Sequence, residues 1–227
     1  MSPKKRVTKH MMKEDKLVTT AFKLVEYVQR NLNRILLFSG IAVVLILAVV
    51  FFFQLQAKRE QKARNLYSKA RAELGSGNYL QAINDLNTVS SSYGGTEVAP
   101  QAMFLLGNAY FYSKNYDRAL VTFEDFSKRY QDDPQLSSSA LAGMAQCYLE
   151  KNDYLSAGEY FVRAAEADIG SFLAPDFLFQ AGYCYREGGE IEKAKEILER
   201  IVENSPESKE SYQAKLYLAE MTYGNVN

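Results

Sequence analysis

Few residues in this chain could carry catalytic chemistry. Its 227 residues hold one histidine, His10, and two cysteines, Cys147 and Cys184. A nucleophile–imidazole triad or a zinc site beyond the first ten residues would need a histidine that is not there. The cysteines lie 37 residues apart with no CxxC, which is neither a disulfide framework nor a redox motif. Both read as small apolar core residues. No phosphate-binding loop of the GxGxxG or P-loop kind occurs. The acidic pairs Glu124/Asp125 and Asp132/Asp133 lack the oxygen-rich loop that calcium needs and read as solvated surface. No catalytic, cofactor-binding or metal-binding residue is therefore assigned, and no cofactor is expected. What the composition does supply is rings, with 16 tyrosines and 13 phenylalanines. Such amphipathic aromatics serve helical cores and contacts with other proteins.

The formal charge sums to zero but is unevenly placed. Residues 1–34 carry nine Lys/Arg against three acids, and residues 58–71 carry six against one. From Ala72 onward there are twelve basic and twenty-three acidic residues. So acidic a surface argues against nucleic acid as a partner, because phosphates need cations. Between the two basic stretches, Ile35 to Ala57 is a run of 23 residues without a charge. As a helix it rises about 35 Å, enough for a hydrocarbon core of about 30 Å. A cleaved signal peptide has an apolar run of roughly 7–15 residues behind a short leader. Here the run is longer, the leader has 34 residues, and Leu55-Gln56-Ala57 is a poor small-x-small cleavage site. A retained transmembrane helix at 35–57 is the expectation, embedded in lipid between a basic leader (1–34) and a C-terminal domain (58–227).

Within the leader, Leu17, Ala21, Leu24, Val25, Val28 and Leu32 recur at helical spacing among Lys16, Lys23, Glu26 and Arg30. That pattern suits an amphipathic helix on an anionic membrane surface or against a partner. It suits equally a solvated extension of the membrane helix. Charge leaves the orientation open. Lys23, Arg30 and Arg34 precede the span closely, whereas Lys58, Arg59, Lys62, Arg64, Lys69 and Arg71 follow it. Taken literally, that puts the C-terminal domain in the cytoplasm; the nine basic residues of the complete leader pull the other way.

An internal period decides the fold of the domain. Ala82, Ala119, Ala157 and Ala194 are spaced 37, 38 and 37 residues apart. Ala70, Gly107, Ala145, Gly182 and Ala219 are spaced 37, 38, 37 and 37, and twelve residues separate the two series in all four repeats. Small residues at fixed offsets let the two helices of a hairpin cross closely. Around them run Met103-x2-Leu106-Gly107-x2-Tyr110, Asn115-Tyr116 and Phe123, then Leu141, Met144, Tyr148, Asp153-Tyr154 and Phe161. Leu178, Ala181, Tyr185, Leu198 and Pro206 follow; the first unit is degenerate, with Leu66, Tyr79 and Leu86.

Over residues 63–222 this pattern resembles the tetratricopeptide-repeat (TPR) family. The resemblance implies an all-α helix-turn-helix solenoid of about four repeats, at 63–98, 99–136, 137–173 and 174–208. A capping helix at 209–223 would close it. Turns are expected at Gly75–Asn78, Lys114–Asn115, Lys151–Asp153 and Gly188–Gly189, where Gly and Asn tolerate the left-handed conformation. Links between repeats are expected at Ser90–Thr96, Gln131–Gln135, Ile169–Pro175 and Asn204–Pro206. A TPR unit usually has 34 residues, so the surplus must lengthen the second helix or the link after it.

The family register places Tyr67, Phe104, Asn108, Phe111, Gln146, Phe179 and Tyr183 on the inner face of the stack, as a groove for a peptide. Phe104 stands where some TPR domains carry a carboxylate-binding lysine. The overall plan, with the leader Val7-Thr8-Lys9-His10, one span and long repeats, resembles bacterial single-pass TPR proteins that are ancillary subunits of the SecYEG translocon. That resemblance implies an inner-membrane protein with a cytoplasmic N-terminus and a periplasmic repeat domain. It implies a non-enzymatic scaffold whose partners are translocon subunits, chaperones or unfolded chains. Two alternatives stand beside it: an envelope-assembly or cell-division coordinator, and an organelle import receptor.

Overall fold

The computed structural model describes residues 9–223, with side chains from 18 to 222. The first eight leader residues, the side chains of His10 and Leu17, and residues 224–227 of the domain lie outside the described residues. The described residues form nine helices and no strand. They are α1 (Lys9–Gly75), α2 (Tyr79–Ser92), α3 (Ala99–Tyr112), α4 (Tyr116–Arg129), α5 (Pro134–Glu150), α6 (Tyr154–Ala167), α7 (Ala174–Glu187), α8 (Ile191–Asn204) and α9 (Lys209–Tyr223). The chain divides into two compact units between Ala57 and Lys58.

In the first unit, α1 is long and apolar enough to cross a membrane, and its most apolar window is wholly unburied. Leu36, Leu37, Phe38, Val44, Leu47 and Phe51 are all exposed and point all round the helix. A helix that is apolar on every side needs a protein core or lipid around it. Its polar groups are satisfied internally: the Ser39 hydroxyl donates to the Leu36 carbonyl (3.0 Å) and the Asn31 amide to the Tyr27 carbonyl (3.0 Å). Such bonding within the helix is what a lipid surround demands.

The second unit is an all-α stack of helical hairpins. Each hairpin closes on one turn, repeated four times. The residue after the first helix's last turn has positive φ: Gly77 (79°), Lys114 (60°), Asn152 (61°) and Gly189 (83°). The next amide then donates five residues back, from Asn78 to Glu73, Asn115 to Tyr110, Asp153 to Tyr148 and Glu190 to Tyr185, all at 2.8–2.9 Å. These bonds satisfy carbonyls that a helix end leaves free. Asn115 and Asp153 start the second helices, their side chains accepting from the amides of Arg118 (3.3 Å) and Ser156 (3.2 Å). Asn115 is therefore the cap and Lys114 takes the left-handed position.

Second helices stay at 14 residues in all four repeats. The surplus over 34 lies in the links, Tyr93–Val98 and Asp168–Leu173, and in α5, which has 17 residues. Pro134 and Pro175 belong to the first helical turn rather than to links, because proline's missing donor is not needed there. The core is alanine-rich: Ala70, Ala82, Ala109, Ala119, Ala145, Ala157, Ala181 and Ala194 have no exposed surface. The large buried groups are Leu86, Phe123, Phe126, Leu198 and Ile201. Cys147 and Cys184 are free and fully buried, and burial pushes both thiols up to about 12.

Candidate protein-binding face

First helices approach one another, α3 with α5 and α7 with α9, whereas the second helices pack against their flanking first helices. First helices therefore line the inside of the stack. Side chains that project from them without entering the hairpin core are free to meet a partner.

The sequence-predicted residues fall into three groups. Tyr67 is half-buried against the first core cluster, with Ala63, Ala70 and Leu86. Phe104 is half-buried too, its ring 5.8 Å from Phe123 and 6.0 Å from Phe126. Both have an intramolecular role. Asn108 is half-buried and Gln146 is exposed.

The third group joins aromatic clusters. Phe111 lies 5.6 Å from both Tyr112 and Tyr116, and Tyr112 stacks on Tyr79 at 6.1 Å. Tyr112 is 55% exposed, so this cluster presents a ring surface across the first two repeats. Tyr116 donates to Glu150 of α5 (2.9 Å), a bond that holds its phenol pKa up. At the far end Phe179 meets Tyr217 edge-on at 5.3 Å. Arg186 lies 4.4 Å over the Tyr217 ring and 5.6 Å from that of Tyr183. Its guanidinium donates to Glu187 (2.9 Å) and faces Glu220 at 3.8 Å. The Glu187 carboxylate raises the pKa of Tyr183. A guanidinium held over rings in this way keeps its shape at little entropic cost.

Sequence reading missed Tyr79, Tyr112, Arg186 and Tyr217. The signal for Tyr79 was present, since Tyr79, Tyr116 and Tyr154 recur 37 and 38 residues apart directly after Asn78, Asn115 and Asp153. Arg186 occupies the register of Leu74, Phe111 and Leu149, where an apolar side chain rather than a cation was the pattern.

Away from this face, a cleft of about 640 Å³ opens between the α6–α7 and α8–α9 links, flanked by the exposed Ile169 and Phe172.

Residues 59–140 match a family model described as "Outer membrane lipoprotein", and residues 176–208 match one described as "Tetratricopeptide repeat". The outer membrane protein assembly factor BamD of Pasteurella multocida is 26% identical over 164 residues, which cover 72% of this chain and 54% of that protein. The chain thus spans about half the length of this curated relative. Among solved structures, a tetratricopeptide repeat protein from Parabacteroides merdae superposes with a TM-score of 0.58 at 16% identity, over 73% of this chain and 61% of that one. The apo form of RapI gives 0.61 at 18% identity, over 73% and 49%. The repeats are of the TPR type. The resemblance to translocon subunits gains no support from these relatives.

Proposed function

We propose that this chain is a membrane-anchored scaffold of the bacterial envelope whose first-helix face binds proteins during outer-membrane-protein assembly. One observation carries the reading. A 164-residue match to an assembly factor accompanies repeats whose first helices carry two preformed aromatic clusters, Phe111 and Tyr112 with Tyr79 of α2, and Phe179, Tyr183 and Tyr217 with Arg186. Rings that already pack on one another lose little freedom when a partner lands on them. Attachment follows from residues 35–57. In this reading the uncharged helix is the group that meets the bilayer.

That span favours a second reading, hand-over of chains emerging from the SecYEG translocon to periplasmic chaperones. The N-terminus would then be cytoplasmic and the repeats periplasmic. Cross-linking of the full chain in membranes, followed by detergent purification, separates the two. Outer-membrane-protein precursors or assembly subunits are expected among the adducts. Adducts confined to translocon subunits favour the second reading, and adducts with neither class overturn both. A reporter fused after Asn227 checks the topology, and activity only in the cytoplasm would sink either version.

A further inference from the structure

The cations that follow the apolar run sort into two classes by what faces them. Arg64 donates to Glu60 (3.1 Å) and also pairs with Glu97. Lys69 donates to Asp85 (2.8 Å) and lies 3.4 Å from Glu73. These two are neutralised by the repeat domain itself. Lys58, Arg59 and Lys62 are exposed and form no ion pair among the described residues. Arg59 donates only to the Ser92 carbonyl (3.2 Å). At i, i+1 and i+4 they form one patch on α1. Ala63, on another side of the same turn, has no exposed surface and packs with Ala82 and Leu86.

Their place in the chain completes the pattern. They are the first, second and fifth residues after Ala57, so Lys62 lies about 7.5 Å of helical rise beyond it. A bilayer's polar layer extends roughly 5–8 Å past the hydrocarbon on each side. Arg71, likewise exposed and without an ion pair among the described residues, is about 21 Å of rise beyond Ala57, out of that layer and apart from the patch. The unpaired cations nearest the apolar run thus coincide with headgroup depth, and the paired ones begin where that layer ends.

We propose that Lys58, Arg59 and Lys62 form a contact site for the phosphates of anionic lipid headgroups. This rests on the reading of residues 35–57 as a span. The full chain is reconstituted in vesicles of phosphatidylcholine alone and in vesicles rich in phosphatidylglycerol. A water-soluble acetylating reagent is applied, and each lysine's rate is read by mass spectrometry. A surface potential of about −30 mV enriches protons near the surface and slows amine acetylation about threefold. Lys58 and Lys62 slow by that factor in the anionic vesicles, and high salt abolishes the difference. Lys209, remote in sequence from the span, keeps one rate in both. Equal rates for Lys58 and Lys62 in the two vesicles overturn the lipid site. An alkaline carbonate wash distinguishes the two failures. A chain retained by the vesicles with equal rates leaves the span standing, whereas a chain that washes out removes both.

Discussion

Phe123 is a wedge between two helices, and its neighbours make a sharp prediction. The ring has no exposed surface. A Cβ built on Gly107 would stand 2.5 Å from it, and one on Gly143 would stand 2.7 Å from it. Phe104 borders it at 5.8 Å. With glycines from α3 and α5 both against the ring, it has no direction in which to yield. Gly107→Ala should therefore cost about 1–3 kcal/mol in overpacking, against a gain of about 0.8–1.0 kcal/mol in helix propensity. The net is destabilisation of about 1 kcal/mol in the otherwise natural sequence. Phe123→Ala should cost about 3–5 kcal/mol, because glycines offer no side chain to fill the cavity. In that background the new methyl group has room, so Gly107→Ala should stabilise by about 1 kcal/mol. The sign reverses. Urea unfolding of residues 58–227, followed by circular dichroism, measures all four species, and the coupling should be about 1–3 kcal/mol. If Gly107→Ala has the same sign and size in both backgrounds, the wedge account is wrong.

Lys114→Gly should stabilise the domain by about 0.5–1 kcal/mol, because a side chain at φ 60° carries a penalty that glycine does not. Asn152→Gly, at φ 61°, should gain less, and equal melting gains for the two would contradict this. The Ser211 hydroxyl is buried without a hydrogen-bond partner, and the same register holds Ala99 and Ala174. Ser211→Ala should therefore leave stability unchanged or raise it by up to about 1 kcal/mol; a loss beyond that in chemical denaturation would show the hydroxyl is needed. The two thiols titrate from 9.0 in the open chain to about 12 when folded. Above about pH 9 the unfolded state thus binds fewer protons, and stability falls as pH rises toward 12. Raised pKa values at Tyr148 and Tyr185 act in the same direction. Between about pH 8 and pH 10, Cys147→Ala/Cys184→Ala should lose urea stability less steeply than the natural chain; identical slopes would refute the assignment.

The fold was legible because its constraints repeat. Ala82, Ala119, Ala157 and Ala194 mark helix crossings, and a crossing tolerates only small residues whatever the partner is. Gly77 and Gly189 announced their turns for a similar reason. The turn at Lys114–Asn115 was legible too, but not which residue takes the left-handed position: a lysine at positive φ leaves no compositional trace, and Asn115 serves as the cap. The binding face was less legible. The TPR register identifies which side of a first helix points inward, but it cannot say whether a ring there is already spent. Phe104 turns to Phe123 and Phe126, while Phe111 joins Tyr112 in the open. Arg186 was missed because its significance depends on Tyr217, thirty-one residues away on α9, and no local pattern links the two.

The central claim, that the first-helix face receives proteins in the envelope, is tested most directly by photo-cross-linking in cells. A photoreactive amino acid is placed at Tyr112 on α3 and, separately, at Glu199 on α8; both positions are exposed. The account predicts discrete adducts with envelope proteins from position 112, weakened when Tyr183 and Arg186 are replaced by Ala. It predicts none of comparable yield from position 199. Adducts that are equal from the two positions, or that form only from position 199, would contradict it.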